Sequence, residues 1–163
     1  MPVVVQALFL IGGLLAVIVL HEAAHLVAVV LSGFRWTEFA AGPVLLRRTS
    51  RGTKAEFRGQ WHAGYVAYEY CDRRSTRIKE CAIAASGIAV NLVAGLLLDS
   101  LFHQLDPRQD SLWYWWLPFL STASLLTAVG NCIPFHIPYT TLESDGMRLV
   151  KLLKPRPKPR RYR

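Results

Sequence analysis

Between Val3 and Leu31 the chain carries a single charged side chain, Glu22. A surface helix of a soluble domain needs only an apolar stripe, whereas a helix crossing bilayer hydrocarbon needs roughly 20 apolar residues in succession. Cys81 to Leu98 and Ser111 to Leu142 also lack Asp, Glu, Lys and Arg. Three spans are therefore expected, the first long enough to tilt or to project past the hydrocarbon. The third should stop as a helix near Gly130, Pro134 and Pro138. Only 18% of the residues are charged and 52% are hydrophobic, against about 25% charged in soluble domains, which excludes a disordered tail protein. A cleaved signal sequence would open on positive charge and carry a shorter apolar stretch; Met1-Pro2-Val3 lacks the charge, so the segment is expected to stay.

The charges that remain are segregated. Residues 35–80 hold ten Lys/Arg and five Asp/Glu, 99–110 hold Asp99, Asp106 and Asp110 with only Arg108, and 148–163 hold eight basic residues and no acid. By the positive-inside rule, the first loop and the tail face the cytoplasm while the acidic loop and the N-terminus lie outside. This predicts a multi-pass protein of the cell membrane. Trp113, Tyr114, Trp115 and Trp116 suit the outer interface as an aromatic belt. The net charge of +8 is accounted for by topology and anionic-lipid attraction, so membrane lipid is the expected partner and nucleic acid is not. Cys71, Cys81 and Cys132 lack any Cys-x-x-Cys pairing and read as inert thiols.

The expected fold is an integral membrane, mainly α-helical one. About three transmembrane helices are joined by a small membrane-associated β-hairpin after the first and followed by a short C-terminal amphipathic helix. Trp36 to Arg48 and Lys54 to Tyr70 form the hairpin around Ser50-Arg51-Gly52-Thr53, with bends at Gly42-Pro43 and Gly64. Residues 1–153 read as one core, and 154–163 as a basic, proline-rich cytoplasmic tail in which alternating prolines prevent a helix.

His21-Glu22-Ala23-Ala24-His25 places two imidazoles four residues apart on one helical face, where both can reach one zinc ion. Glu22, turned about 100° from His21, can act as general base toward water, whose pKa zinc lowers to about 7. A glutamate in a spanning helix costs about 2.5–3.5 kcal/mol on insertion scales, so this triplet demands partners. A catalytic site also needs a third protein ligand. Asp145 is the leading choice, in Ser144-Asp145-Gly146 at the start of the amphipathic stretch ending at Leu153, although an Asp there would be favoured by the helix dipole alone. Glu143 and His136 compete for the role, while His62 and His103 read as a loop and an outer-face histidine.

Taken in order, these motifs resemble the site-2 protease family of intramembrane zinc metalloproteases over most of residues 15–153. His21, Glu22 and His25 match its His-Glu-x-x-His; Gly87 to Asn91 resembles its Gly-x-x-x-Asn element; and Asn131-Cys132-Ile133-Pro134 with Asp145-Gly146 resembles its Asn-x-x-Pro and Asp-Gly element. Gly42-Pro43 through Gly64-Tyr65-Val66 is similar to the membrane-associated strands after the first motif.

The resemblance implies one zinc per chain held by His21, His25 and Asp145, Glu22 as catalytic base, and hydrolysis of a peptide bond in a transmembrane protein substrate. It further implies that Asn91 contacts substrate or supports the scissile carbonyl, and that Asn131 contacts substrate or supports the metal ligands. Two departures stand out: Ile88 replaces the frequent Pro, and the Pro134-to-Asp145 spacing is long. No regulatory domain is expected in a chain this short, so substrate selection falls to the strands, the Phe135 to Glu143 insertion or a regulatory membrane partner. The alternative is a catalytically silent membrane adaptor or metal-binding protein on the same fold, with a metal transporter behind it.

Overall fold

The computed structural model of the protein describes residues 3–61, 63–70, 77–104, 112–136 and 143–154. His62, Cys71, the acidic residues Asp106 and Asp110, Pro138 and the tail from 155 onward lie outside the described residues. Helix α1 (Val3–Leu31) is followed by strands β1 (Arg35–Ala41), β2 (Val44–Thr49), β3 (Gly52–Phe57) and β4 (Gly64–Glu69). Helices α2 (Arg77–His103), α3 (Leu112–Cys132) and α4 (Asp145–Leu153) complete the chain.

The 29 residues of α1 extend about 43 Å at 1.5 Å per residue, more than the roughly 30 Å of hydrocarbon in a bilayer. Helix α2 packs against both α1 and α3. Small residues let the helices approach: a Cβ on Gly13 would lie 2.8 Å from ring atoms of Phe119 and Trp116, and one on Gly95 would lie 2.6 Å from Leu125. Ser121 Oγ donates to the Gly95 carbonyl oxygen at 2.9 Å, closing the same contact with a hydrogen bond. Leu8, Ile11, Val27, Val93, Leu96 and Leu97 point outward, an apolar exposure that water would penalise and lipid would not.

Among the described residues two helices, not the three expected, are long and apolar enough to cross a bilayer, namely α1 and α2. The uncharged third run supplies α3, but Pro118 lies inside that helix and Ser121, Thr122, Ser124, Thr127 and Asn131 dilute its apolar content. A run without charge is not the same as an apolar run. The aromatic cluster at its start also serves packing: Trp116 meets Phe9 edge-on at 4.7 Å between ring centroids, while Trp115 stays exposed.

The strands correct the hairpin expectation too. They form a four-stranded antiparallel sheet in the order β3-β2-β1-β4. Gly42, at φ 55°, reverses the chain in a two-residue loop between the paired Ala41 and Val44, so the first expected arm is itself folded, and the second is divided into β3 and β4 at opposite edges of the sheet. Thr49 pairs with Gly52 across the anticipated central turn. Tyr65 and Arg47 both donate to the Glu38 carboxylate, linking β4, β1 and β2 and holding that carboxyl below its usual range. Phe34, Val29 and Ile83 form the buried cluster that seats the sheet on the ends of α1 and α2, with Trp36, Val66 and Tyr68 against it.

The expected amphipathic helix is present as α4, and Ser144 fixes its start. Ser144 Oγ accepts from the backbone N–H groups of Met147 and Phe135, each at 3.1 Å, and donates to the Ile133 carbonyl oxygen at 2.7 Å. One hydroxyl therefore caps α4 and ties it to the end of α3. Ser144→Ala is expected to remove about 1 kcal/mol from this junction, seen as faster amide hydrogen exchange at Phe135 and Met147. Gly146 lies directly on the Cys132 backbone, where any Cβ would collide. Cys81 and Cys132 are free cysteines among the described residues.

Candidate metal centre

Helical spacing sets His21 and His25 one turn apart on the face of α1 that α2 and α4 cover, with Glu22 beside them. All three are buried, as is Asp145, the first residue of α4. Asp145 Oδ2 lies 3.0 Å from His21 Nε2 and 3.1 Å from His25 Nε2, and the two Nε2 atoms are 3.2 Å apart. These three donor atoms form a nearly equilateral triangle. Imidazole and carboxylate bonds to zinc of about 2.0–2.2 Å in a tetrahedral arrangement space the donors roughly 3.3–3.5 Å apart. The triangle fits such an ion after shifts of a few tenths of an ångström, so the cluster can hold a metal.

Helix α2 supplies the surroundings of both imidazoles. His25 Nδ1 donates to the Ile83 carbonyl oxygen at 2.7 Å, with Ser86 Oγ 3.2 Å away. A carbonyl only accepts, so Nδ1 of His25 carries the proton and Nε2 keeps a free lone pair. Gly87 leaves room for both rings: a Cβ there would lie 2.5 Å from His25 Nε2 and 2.7 Å from His21 Nε2. Burial opposes ionisation of Asp145, but the close contacts of its carboxylate with the His21 and His25 rings outweigh it and lower its pKa from 3.8 to about 2. The cluster therefore brings two imidazole nitrogens and one carboxylate oxygen to a single point.

Two cavities, of about 440 and 430 Å³, meet at His21, Glu22, Gly64, Asn131 and Glu143. The first is bounded by the apolar Leu14, Val17 and Ile18 of α1 and by Thr127, Gly130 and Asn131 of α3. The second opens toward Tyr65 and Val66 of β4 and Arg148 of α4. Glu22 faces this junction against Gly64, where a Cβ would sit 2.5 Å from Glu22 Oε1. Arg58 orders the approach to Gly64, donating to the carbonyl oxygens of Gly42 and Ala63.

Of the residues named from sequence, His21, Glu22, His25 and Asp145 come together. Glu143 lines both cavities but pairs with Lys151 and lies 3.9 Å from His136, outside the triangle. Asn131 lines both cavities and donates to the Thr127 carbonyl oxygen at 3.1 Å. Asn91 lines neither; it sits behind His21, with Nδ2 3.2 Å from His21 Nδ1. His103 is exposed at the far end of α2. The sequence reading passed over Ser86, Arg58 and the Ile83 carbonyl. A backbone carbonyl leaves no mark in a sequence, and Arg58 was one basic residue among many.

Against known proteins, the family model described as Peptidase family M50 matches residues 9–151. No curated protein and no solved structure matches.

Proposed function

The chain belongs to Peptidase family M50, the site-2 protease family, and from that premise we propose that it is a zinc metalloendopeptidase cleaving a transmembrane protein substrate within or at the edge of the bilayer. The observation that carries the reading is the buried His21–His25–Asp145 triangle with Glu22 at the mouth of two joined cavities.

Bound zinc would polarise the scissile carbonyl and make water acidic enough to give hydroxide near neutral pH. His21, His25 and Asp145 would hold the ion. Glu22 takes a proton from the attacking water and hands it to the leaving nitrogen as the carbon–nitrogen bond breaks, so water ends divided between a new carboxyl and a new amine. Asn131, which lines both cavities, would meet the substrate backbone.

A substrate helix must be extended locally before its peptide bond can be attacked. Among the described residues strand β4 pairs with β1 alone, leaving its other edge open, and its Gly64, Tyr65 and Val66 line the second cavity. An unwound segment can pair with that edge while its apolar continuation occupies the α1/α3 cavity. Helix α3 runs back along α2 and returns the chain to the sheet's end of the bundle, where Arg77 donates to the Lys154 carbonyl oxygen, so the basic sheet and α4 would share the cytoplasmic side and the N-terminus would lie outside.

The test uses purified protein in vesicles with a single-span reporter. Cleavage should stop on treatment with a strong chelator and return on adding back about one equivalent of zinc. Cleavage indifferent to chelation would refute the assignment.

A further inference from the structure

The two metal-facing histidines differ in what backs them. His25 has a carbonyl oxygen behind Nδ1, which fixes its proton there and frees Nε2. For His21 to present Nε2 in the same way, its Nδ1 must also carry a proton and find an acceptor. The group facing it is the Asn91 side-chain amide, 3.2 Å away through Nδ2, and an NH2 group cannot accept. Asn91 is fully buried, and its Oδ1 has no hydrogen-bond partner among the described residues.

An amide carries donor and acceptor on one group that exchanges them by a half-turn about its last torsion. We propose that Asn91 is the positioning residue for His21: its Oδ1 turns to accept the Nδ1 proton, locking the tautomer in which Nε2 binds metal. This rests on the metal-centre reading above and refines it. It also gives the Gly87-to-Asn91 spacing a physical sense. The glycine clears both imidazoles, and the asparagine one turn later on the same face of α2 holds one of them. Neither acts on substrate.

The experiment measures zinc affinity by competition with a chromophoric chelator for detergent-purified wild type, Asn91→Leu and Asn91→Asp. Leu removes the acceptor at similar volume and should weaken zinc about 10–100-fold. Asp offers only acceptor oxygens at the same position and should bind within a few-fold of wild type or more tightly. In zinc-loaded, 15N-histidine-labelled wild type, the His21 nitrogen signals should report a proton on Nδ1.

Equal affinity of Asn91→Leu and wild type would overturn the proposal, as would an Asn91→Asp loss matching that of Leu. Wild type that binds no zinc would overturn both this proposal and the functional reading on which it rests. Zinc bound normally but unaffected by either substitution would overturn this one alone.

Discussion

Glu22→Gln should leave the protein loaded with zinc and lower reporter cleavage by about 10²–10⁴-fold. The substitution keeps the shape of the side chain and removes its ability to take a proton. The donor triangle does not include Glu22: His21, His25 and Asp145 contact one another directly, and α2 supports the imidazoles from behind. The close seat against Gly64 leaves little space for displacement, so an isosteric amide should remain in place. Matched measurements of zinc content and single-turnover cleavage separate the two roles. Retained zinc with lost turnover supports Glu22 as the base, whereas unchanged turnover would remove it from the mechanism.

Gly87→Ala should have the opposite signature, losing the metal while keeping the helices. Its Cβ would fall 2.5 Å from His25 Nε2 and 2.6 Å from His21 Cε1, so at least one ring must swing away. Neither ring can move cheaply, because His25 is tied to the Ile83 carbonyl and His21 faces Asn91. Alanine is otherwise the better helix former by about 1 kcal/mol, so the circular dichroism of α2 should not fall. Gly12→Ala is the control: no atom lies within 4 Å of a Cβ added there, and zinc should stay. Equal zinc content in Gly87→Ala and Gly12→Ala would contradict the site geometry.

The parts legible in the sequence are those encoded locally. Helix α1 occupies the apolar run Val3–Leu31, and four-residue spacing alone put His21 and His25 on one face. Asp145 was one of three candidates because it lies 124 residues from His21. What selects it is tertiary: Ser144 anchors the start of α4, and Gly146 lets that start press against the end of α3. Glu143 is one residue short of this turn and is drawn to Lys151 instead.

The misreadings have equally physical sources. Lack of charge made the third run look like α1, yet its hydroxyls and Pro118 set it apart. Gly42-Pro43 reads as a bend in the sequence, but positive φ at Gly42 turns the chain fully back and divides the first arm into β1 and β2, while the second arm divides into β3 and β4 at opposite edges of the sheet.

The central claim is that His21, His25 and Asp145 together hold one zinc ion. Its most direct test is the zinc content per chain, by elemental analysis, of wild type and Asp145→Ala purified side by side in detergent and exposed equally to a weak chelator. The expected result is close to one zinc in wild type and close to none in the variant. Wild type without zinc, or a variant that retains as much as wild type, would contradict the claim.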